Sequence, residues 1–237
     1  MAQSLPTPPN SPVSGCSDTR RKFKQEVRSE PNVPQHKIFF PESGIRRFFA
    51  TGTVKELLEC RCPKCCNHRR LHQIANPASY VSHVLGRHSK DRHLDSGYVI
   101  LLALLVYIEC PALIYTFIHG RCGDGQFKSQ TARFTHEYVR DTFWHRLPPG
   151  DVEEYAQEFD WERYRFAIPR MEGDHYEEYP SSTILPFVNE KRVSGMAVNG
   201  EIISEGHYGD VYSFDILEGY CDFPVSPGDF TCQSTLS

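Results

Sequence analysis

Residues 94–120 read LDSGYVILLALLVYIECPALIYTFIHG, the most apolar run in the chain. The portion 98–118 is long enough to cross a bilayer, which takes about 20 apolar residues. Glu109 and Pro111 interrupt it near the middle. A charge at the centre of a span costs roughly 2.5–3.5 kcal/mol on insertion scales, and proline ends or kinks a helix. The stretch is therefore expected to fold as two buried helices. Asp95 or Ser96 should cap the first, and Pro111 should sit in the first turn of the second. A membrane is not an expected partner.

Helical signals continue on both sides. KIFFPESGIRRFF (37–49) reads as a short strand-like run and then a helical turn. Thr53 and Glu56 fit a capping box ahead of VKELLEC, predicting a short helix to about Cys60. NPASYVSHVLGRHSK (76–90) predicts a helix from about Ser79 to His88, and SQTARFTHEYVRDTFWHRL (129–147) another that PPGD ends. The stretch 151–183 carries aromatics among acids and reads as a partly ordered linker. Beyond it the periodicity shifts from helical to two-residue. Asn199-Gly200 between apolar pairs in MAVNGEII is a hairpin signal, and DVYSFDI alternates Tyr212, Phe214 and Ile216 on one side. The expected fold is mainly α, with a small antiparallel β meander after it and disordered tails at 1–36 and 224–237.

Composition agrees with a packed domain. The chain has 237 residues, 39% hydrophobic and 12% aromatic, enough for a core between disordered ends. Net charge is −4 and unevenly placed: 60–93 is rich in Arg, Lys and His, whereas 151–179 hold ten acids against three bases. The basic segment lacks interleaved aromatics beyond Tyr80, so nucleic acid is not an expected partner. The first residues, MAQSLPTPPNSPVSGC, contain no apolar core of a secretory signal, and RRKFK (20–24) reads as a solvated charge run. Nine cysteines without a signal point to reduced thiols in a cytoplasmic or nuclear protein.

Those cysteines are concentrated. ECRCPKCCNHRRLH (59–72) places Cys60, Cys62, Cys65, Cys66, His68 and His72 together. Zinc takes four thiolate or imidazole ligands in a tetrahedron, and a C-x-x-C turn supplies two. Cys62 and Cys65 have that spacing, and His83 and His88 on the expected helix would close a Cys2His2 structural site. Alternatively, Cys60 and His68 complete a compact local knuckle. No sequence feature orients a cysteine toward a histidine as a nucleophile pair.

One motif stands apart. SEGHYGDVYSF (204–214) follows the pattern G-x-G-x-x-G-x-V, with Ser204 at the first glycine position, then Gly206, Gly209 and Val211. Glycine recurs in such loops because a side chain would block the approach of backbone N–H groups to phosphate oxygens. Ile203 precedes it as an apolar strand residue, and Tyr208 gives the tip its aromatic character. TILPFVNEKRV (183–193) resembles the segment that leads into the kinase domain in a large group of filamentous-fungal protein kinases. FFPESGIRRFFATGTVKELL (39–58), LLALLVYIECPALIYTFI (101–118) and FDWERYRFAIPRM (159–171) resemble, in order, that group's helical N-terminal region and its aromatic stretch before the linker. The resemblance spans roughly 38–223.

The resemblance implies a helical accessory region at 37–150, an acidic aromatic linker at 151–183, and the truncated start of a serine/threonine-type kinase N-lobe at 184–223. It implies ATP as ligand, held at Ile203, Ser204, Gly206, Tyr208, Gly209 and Val211. Phosphoryl transfer also needs a third-strand lysine, an H-R-D loop and a D-F-G aspartate. No lysine follows Lys191, and neither H-R-D nor D-F-G occurs. The expectation is a kinase-derived fragment with a vestigial ATP loop and no catalytic machinery, acting as a regulator or scaffold through protein partners. The alternative is an independent helical interaction module, stapled by zinc.

Overall fold

The computed structural model describes residues 15–27, 38–87, 97–129, 133–143, 147, 149–171, 183–192, 197–198, 201–202, 211–221 and 234–235. It is mainly helical, with short antiparallel strands toward the C-terminus. The first element, α1 (Cys16–Glu26), lies inside the stretch 1–36 read as a disordered tail. Its sequence is polar apart from Phe23, which is fully buried. That one side chain enters a ring cluster with Phe40, Phe48, Phe49 and Phe166, at centroid distances of 5.2–6.2 Å.

Helices α2 (Glu42–Phe48) and α3 (Thr51–Leu58) follow almost without a break. The capping box does not form. Helix α3 starts two residues before Thr53, with Ala50 at its N-cap and no side-chain cap. Starting there brings Val54, Leu57 and Leu58 onto one buried face. Helix α4 (Pro63–Leu71) has the proline at its first position, where a missing N–H costs nothing. The helix expected from Ser79 to His88 is shorter: a 3₁₀ turn (Pro77–Tyr80) runs into α5 (Val81–Val84). Gly86, at φ +68°, then turns the chain away.

The apolar stretch folds as two elements. Helix α6 (Val99–Tyr107) is followed by a 3₁₀ turn (Pro111–Leu113) that leads into α7 (Ile114–His119), with Pro111 in the first turn. No described helix is long and apolar enough to cross a membrane. Every residue from Val99 to Val106 is at most 3% exposed. A helix apolar all round must be enclosed on all sides, and α6 packs against α1, α2, α7, α8 and α10. Burying each of its Leu, Ile and Val side chains contributes about 1.5–3 kcal/mol. Asp95 and Ser96, the expected caps, lie outside the described residues.

Helices α8 (Asp124–Ser129) and α9 (His136–Phe143) come next. PPGD does not close a helix; Pro149 opens one, α10 (Pro149–Glu162). The linker expected at 151–183 thus begins with the longest described helix. Val152, Tyr155, Ala156 and Phe159 recur at helical spacing and are buried, while Glu153, Glu154 and Glu158 face water. Phe159 stacks on Phe117 at 5.8 Å and 11° and meets Phe127 and Phe143 edge-on. A 3₁₀ turn (Arg163–Arg165) ends this part.

The strands are β1 (Phe187–Arg192), β2 (Ala197–Val198), β3 (Glu201–Ile202), β4 (Val211–Ile216) and β5 (Ser234–Thr235). β2 and β3 pair antiparallel with Val198 opposite Glu201, and Asn199-Gly200, the expected turn, lies outside the described residues. β4 pairs antiparallel with β1 and β5, and Phe214 stacks on Phe187 at 3.7 Å. Phe187 lies opposite Ile216, so Phe214 and Ile216 share a face as their alternation predicted. A second small cluster of Phe39, Ile168 and Tyr220 joins these strands to the helices. There the Glu42 backbone N–H donates to the Tyr220 hydroxyl at 2.7 Å.

Candidate metal centre

Two turns and two helix ends bring four sulfurs together. Cys60 follows the last turn of α3, its N–H donating to the Leu57 carbonyl at 3.1 Å. Cys62 is the N-cap of α4, and Cys65 lies in that helix's first turn. Pro63 between them fixes an entry conformation that points the Cys65 N–H at the Cys62 sulfur, 3.4 Å away. Cys16, the first residue of α1, arrives from the other side with its Sγ 3.6 Å from that of Cys62. All four sulfurs, of Cys16, Cys60, Cys62 and Cys65, lie within 4.8 Å of one another.

The size of the quartet is informative. Four thiolates at about 2.3 Å from a zinc ion, placed tetrahedrally, would stand about 3.8 Å apart. The 3.6 Å between Cys16 and Cys62 is close to that edge. Cys60 and Cys65 are buried, and Cys16 and Cys62 are partly exposed. Crowding splits the thiols electrostatically. Hydrogen bonds from Cys16 and Cys65 hold Cys60 well below the ordinary thiol range. The same bond to Cys60 pushes Cys16 up to about 12, and bonds to Cys16 and Cys60 push Cys65 up. Such a cluster stabilises one thiolate by retaining protons on its neighbours; a dication at its centre would replace those protons. The N-terminus of α4 contributes partial positive charge beside Cys62.

Of the ligands expected from sequence, Cys62 and Cys65 are in the quartet. His83 is not: it is exposed, with its ring 5.9 Å from that of Tyr80. His88 lies outside the described residues. In the alternative knuckle Cys60 is present but His68 is not. His68 is buried on α4 with Nδ1 lacking a hydrogen-bond partner, and burial lowers its affinity for a proton. Cys16 was missed because its segment was read as a tail. The available signal was a lone cysteine opening a segment with a single Phe seven residues on, two helical turns along the same face.

The phosphate-loop residues Ile203, Ser204, Gly206, Tyr208 and Gly209 lie outside the described residues, and Val211 is the first residue of β4, opposite Thr235. A kinase glycine-rich loop joins two strands that pair with each other. Among the described residues, β3 pairs with β2, whereas β4 pairs with β1 and β5.

A third polar feature is structural. Asp124, fully buried on α8, accepts from the backbone N–H groups of Val99, Ile100 and Leu101 at 2.8, 3.0 and 3.0 Å. It caps α6 from 23 to 25 residues away. Burial pushes its carboxyl up to about 6, against those three N–H donors and the Arg46 guanidinium, which pull it down. No family model, curated protein or solved structure matches the chain.

Proposed function

We propose that this chain is a helical protein-interaction domain stapled by one structural zinc ion on Cys16, Cys60, Cys62 and Cys65. The convergence of four sulfurs from two distant segments within 4.8 Å carries this reading. A four-thiolate set fills the tetrahedron and leaves no open position for water or substrate, which is the character of structural rather than catalytic zinc. The metal test is elemental analysis of protein purified with zinc under reducing conditions. One zinc per chain is expected, with most of it lost in Cys65→Ser. Less than about 0.2 zinc per chain would remove the site, because a structural four-thiolate centre binds far too tightly to be lost in purification. Cobalt substitution should give the visible absorption of a tetrahedral thiolate complex.

A kinase-derived origin for the C-terminal strands is a second proposal. It is supported by the order of the sequence motifs and by an antiparallel strand starting at Phe187, within the 183–193 segment. On this reading the glycine loop is vestigial, because no lysine that could hold the phosphates stands among residues 212–237 that follow it. Isothermal titration with Mg-ATP should show no low-micromolar binding; such affinity would contradict the vestigial assignment.

A further inference from the structure

Three of the four sulfurs, those of Cys60, Cys62 and Cys65, belong to one continuous segment that leaves α3 and opens α4. The fourth, Cys16, is the only ligand that α1 supplies. Helix α1 has eleven residues, six of them charged, and a helix of that length is marginal by itself in water. Its hold on the rest of the protein is narrow. Within α1 Phe23 is the one buried side chain, seated among Phe40, Phe48, Phe49 and Phe166, and Val27 at the C-cap is buried just beyond it. Arg20 donates through Nε to the Tyr107 carbonyl at 2.7 Å and pairs with Glu109, and Lys24 stands 4.2 Å over the Tyr107 ring. Arg20 and Glu109 are both partly exposed, so their pair contributes little, about 0–1 kcal/mol.

The geometry therefore makes Cys16 a second anchor, two helical turns from Phe23 on the same face. We propose that metal occupancy of the quartet latches α1 onto the helical core, so that loss of the metal frees α1 and uncovers the aromatic socket of Phe23. This rests on the zinc reading above. The core beneath does not depend on α1 in the same way. α6 is enclosed by α2, α7, α8 and α10 as well, and α10 is tied to α9 through Phe159 and Phe143. Removing a ligand shared between two segments separates the smaller one first, because each segment's other contacts decide whether it stays.

Hydrogen exchange by mass spectrometry on the full chain tests this, with zinc stoichiometry measured on the same samples. When a chelator removes the zinc, amides of 17–26 should exchange about tenfold faster or more, while those of α6 and α10 keep their protection. Cys16→Ser in the presence of zinc should reproduce the change in α1. If zinc leaves and α1 exchange does not change, the latch is wrong and the metal site stands. If α6 and α10 lose protection together with α1, the metal holds the whole fold and the latch is again wrong. If the chain takes up no zinc when it is offered, the metal site fails and the latch with it.

Discussion

Replacing Asp124 by alanine removes the only side chain that caps α6 among the described residues. The N–H groups of Val99, Ile100 and Leu101 would be left without the carboxylate in a site where those residues are 0–3% exposed, away from bulk water. Each orphaned N–H costs about 1–3 kcal/mol, and loss of a buried anion at a helix N-terminus adds up to about 2 kcal/mol. Relief of carboxylate burial works in the opposite direction. Burial, net of the N–H donors and Arg46 that oppose it, raises the pKa from 3.8 to about 6, equivalent to roughly 3 kcal/mol against the ionised form. At the middle of each range the balance predicts a loss of about 4 kcal/mol for Asp124→Ala at pH 7. Asp124→Asn keeps one acceptor oxygen and should lose about 1–2 kcal/mol. Urea unfolding followed by circular dichroism measures both. An Asp124→Ala loss below about 1 kcal/mol, with unchanged denaturant dependence, would refute the capping assignment.

The same carboxylate fixes a sign for pH dependence. Its pKa is raised in the folded state, so the native protein binds this proton more tightly than the unfolded chain does. Its contribution is complete below the ordinary carboxylate range and is lost as pH rises through about 6. Relative to Asp124→Asn, the natural protein should therefore gain stability as pH falls from 7 toward 4, by up to about 3 kcal/mol.

Two further outcomes are expected. Gln73 follows α4 at φ +55° and is exposed, in a left-handed conformation that a Cβ makes costly. Gln73→Gly should raise stability by about 0.5–1 kcal/mol in the same urea assay. Phe159→Ala empties the centre of the α9–α10 ring cluster and should cost about 3–5 kcal/mol, read as a lower thermal midpoint.

How a helix ends separates what was legible in the sequence from what was not. Four helices stop in the same way: a residue in the left-handed region is followed by an N–H that reaches back five residues. The pairs are Ile74 to Arg69, Arg87 to Ser82, Cys110 to Leu105 and Cys122 to Phe117. The left-handed residues are Gln73, Gly86, Glu109 and Arg121. Only Gly86 carries the usual signature of such an end. Pattern reading thus found the helices but not their limits, and α5 stops three residues after Val81, well short of His88. Glu109 was read correctly as an interruption, on grounds of charge; its backbone conformation is what turns the chain.

Long-range pairings account for the other differences. Nothing within a few residues of Val99 shows that a carboxylate from α8 will cap α6. In the same way, nothing near Cys62 shows that Cys16 will be its neighbour. The sequence around Cys62 and Cys65 indicated a thiol site, but the choice between histidines downstream and a cysteine upstream depended on how α1 docks. The acids of α10 drew attention away from Val152, Tyr155, Ala156 and Phe159, whose spacing carries the helix.

The enclosure of α6 also has a consequence for how the protein is made. Residues from α1, α2 and α3 are already available when α6 leaves the ribosome, but α7, α8 and α10 are not. The 55 positions after Tyr107, through Glu162, must still emerge. At about 5–20 residues per second, that leaves a nine-residue apolar cylinder partly uncovered for roughly 3–11 s. During that interval its apolar sides are open to water and to non-native contacts, so the order in which the chain is made leaves the centre of the core exposed longest.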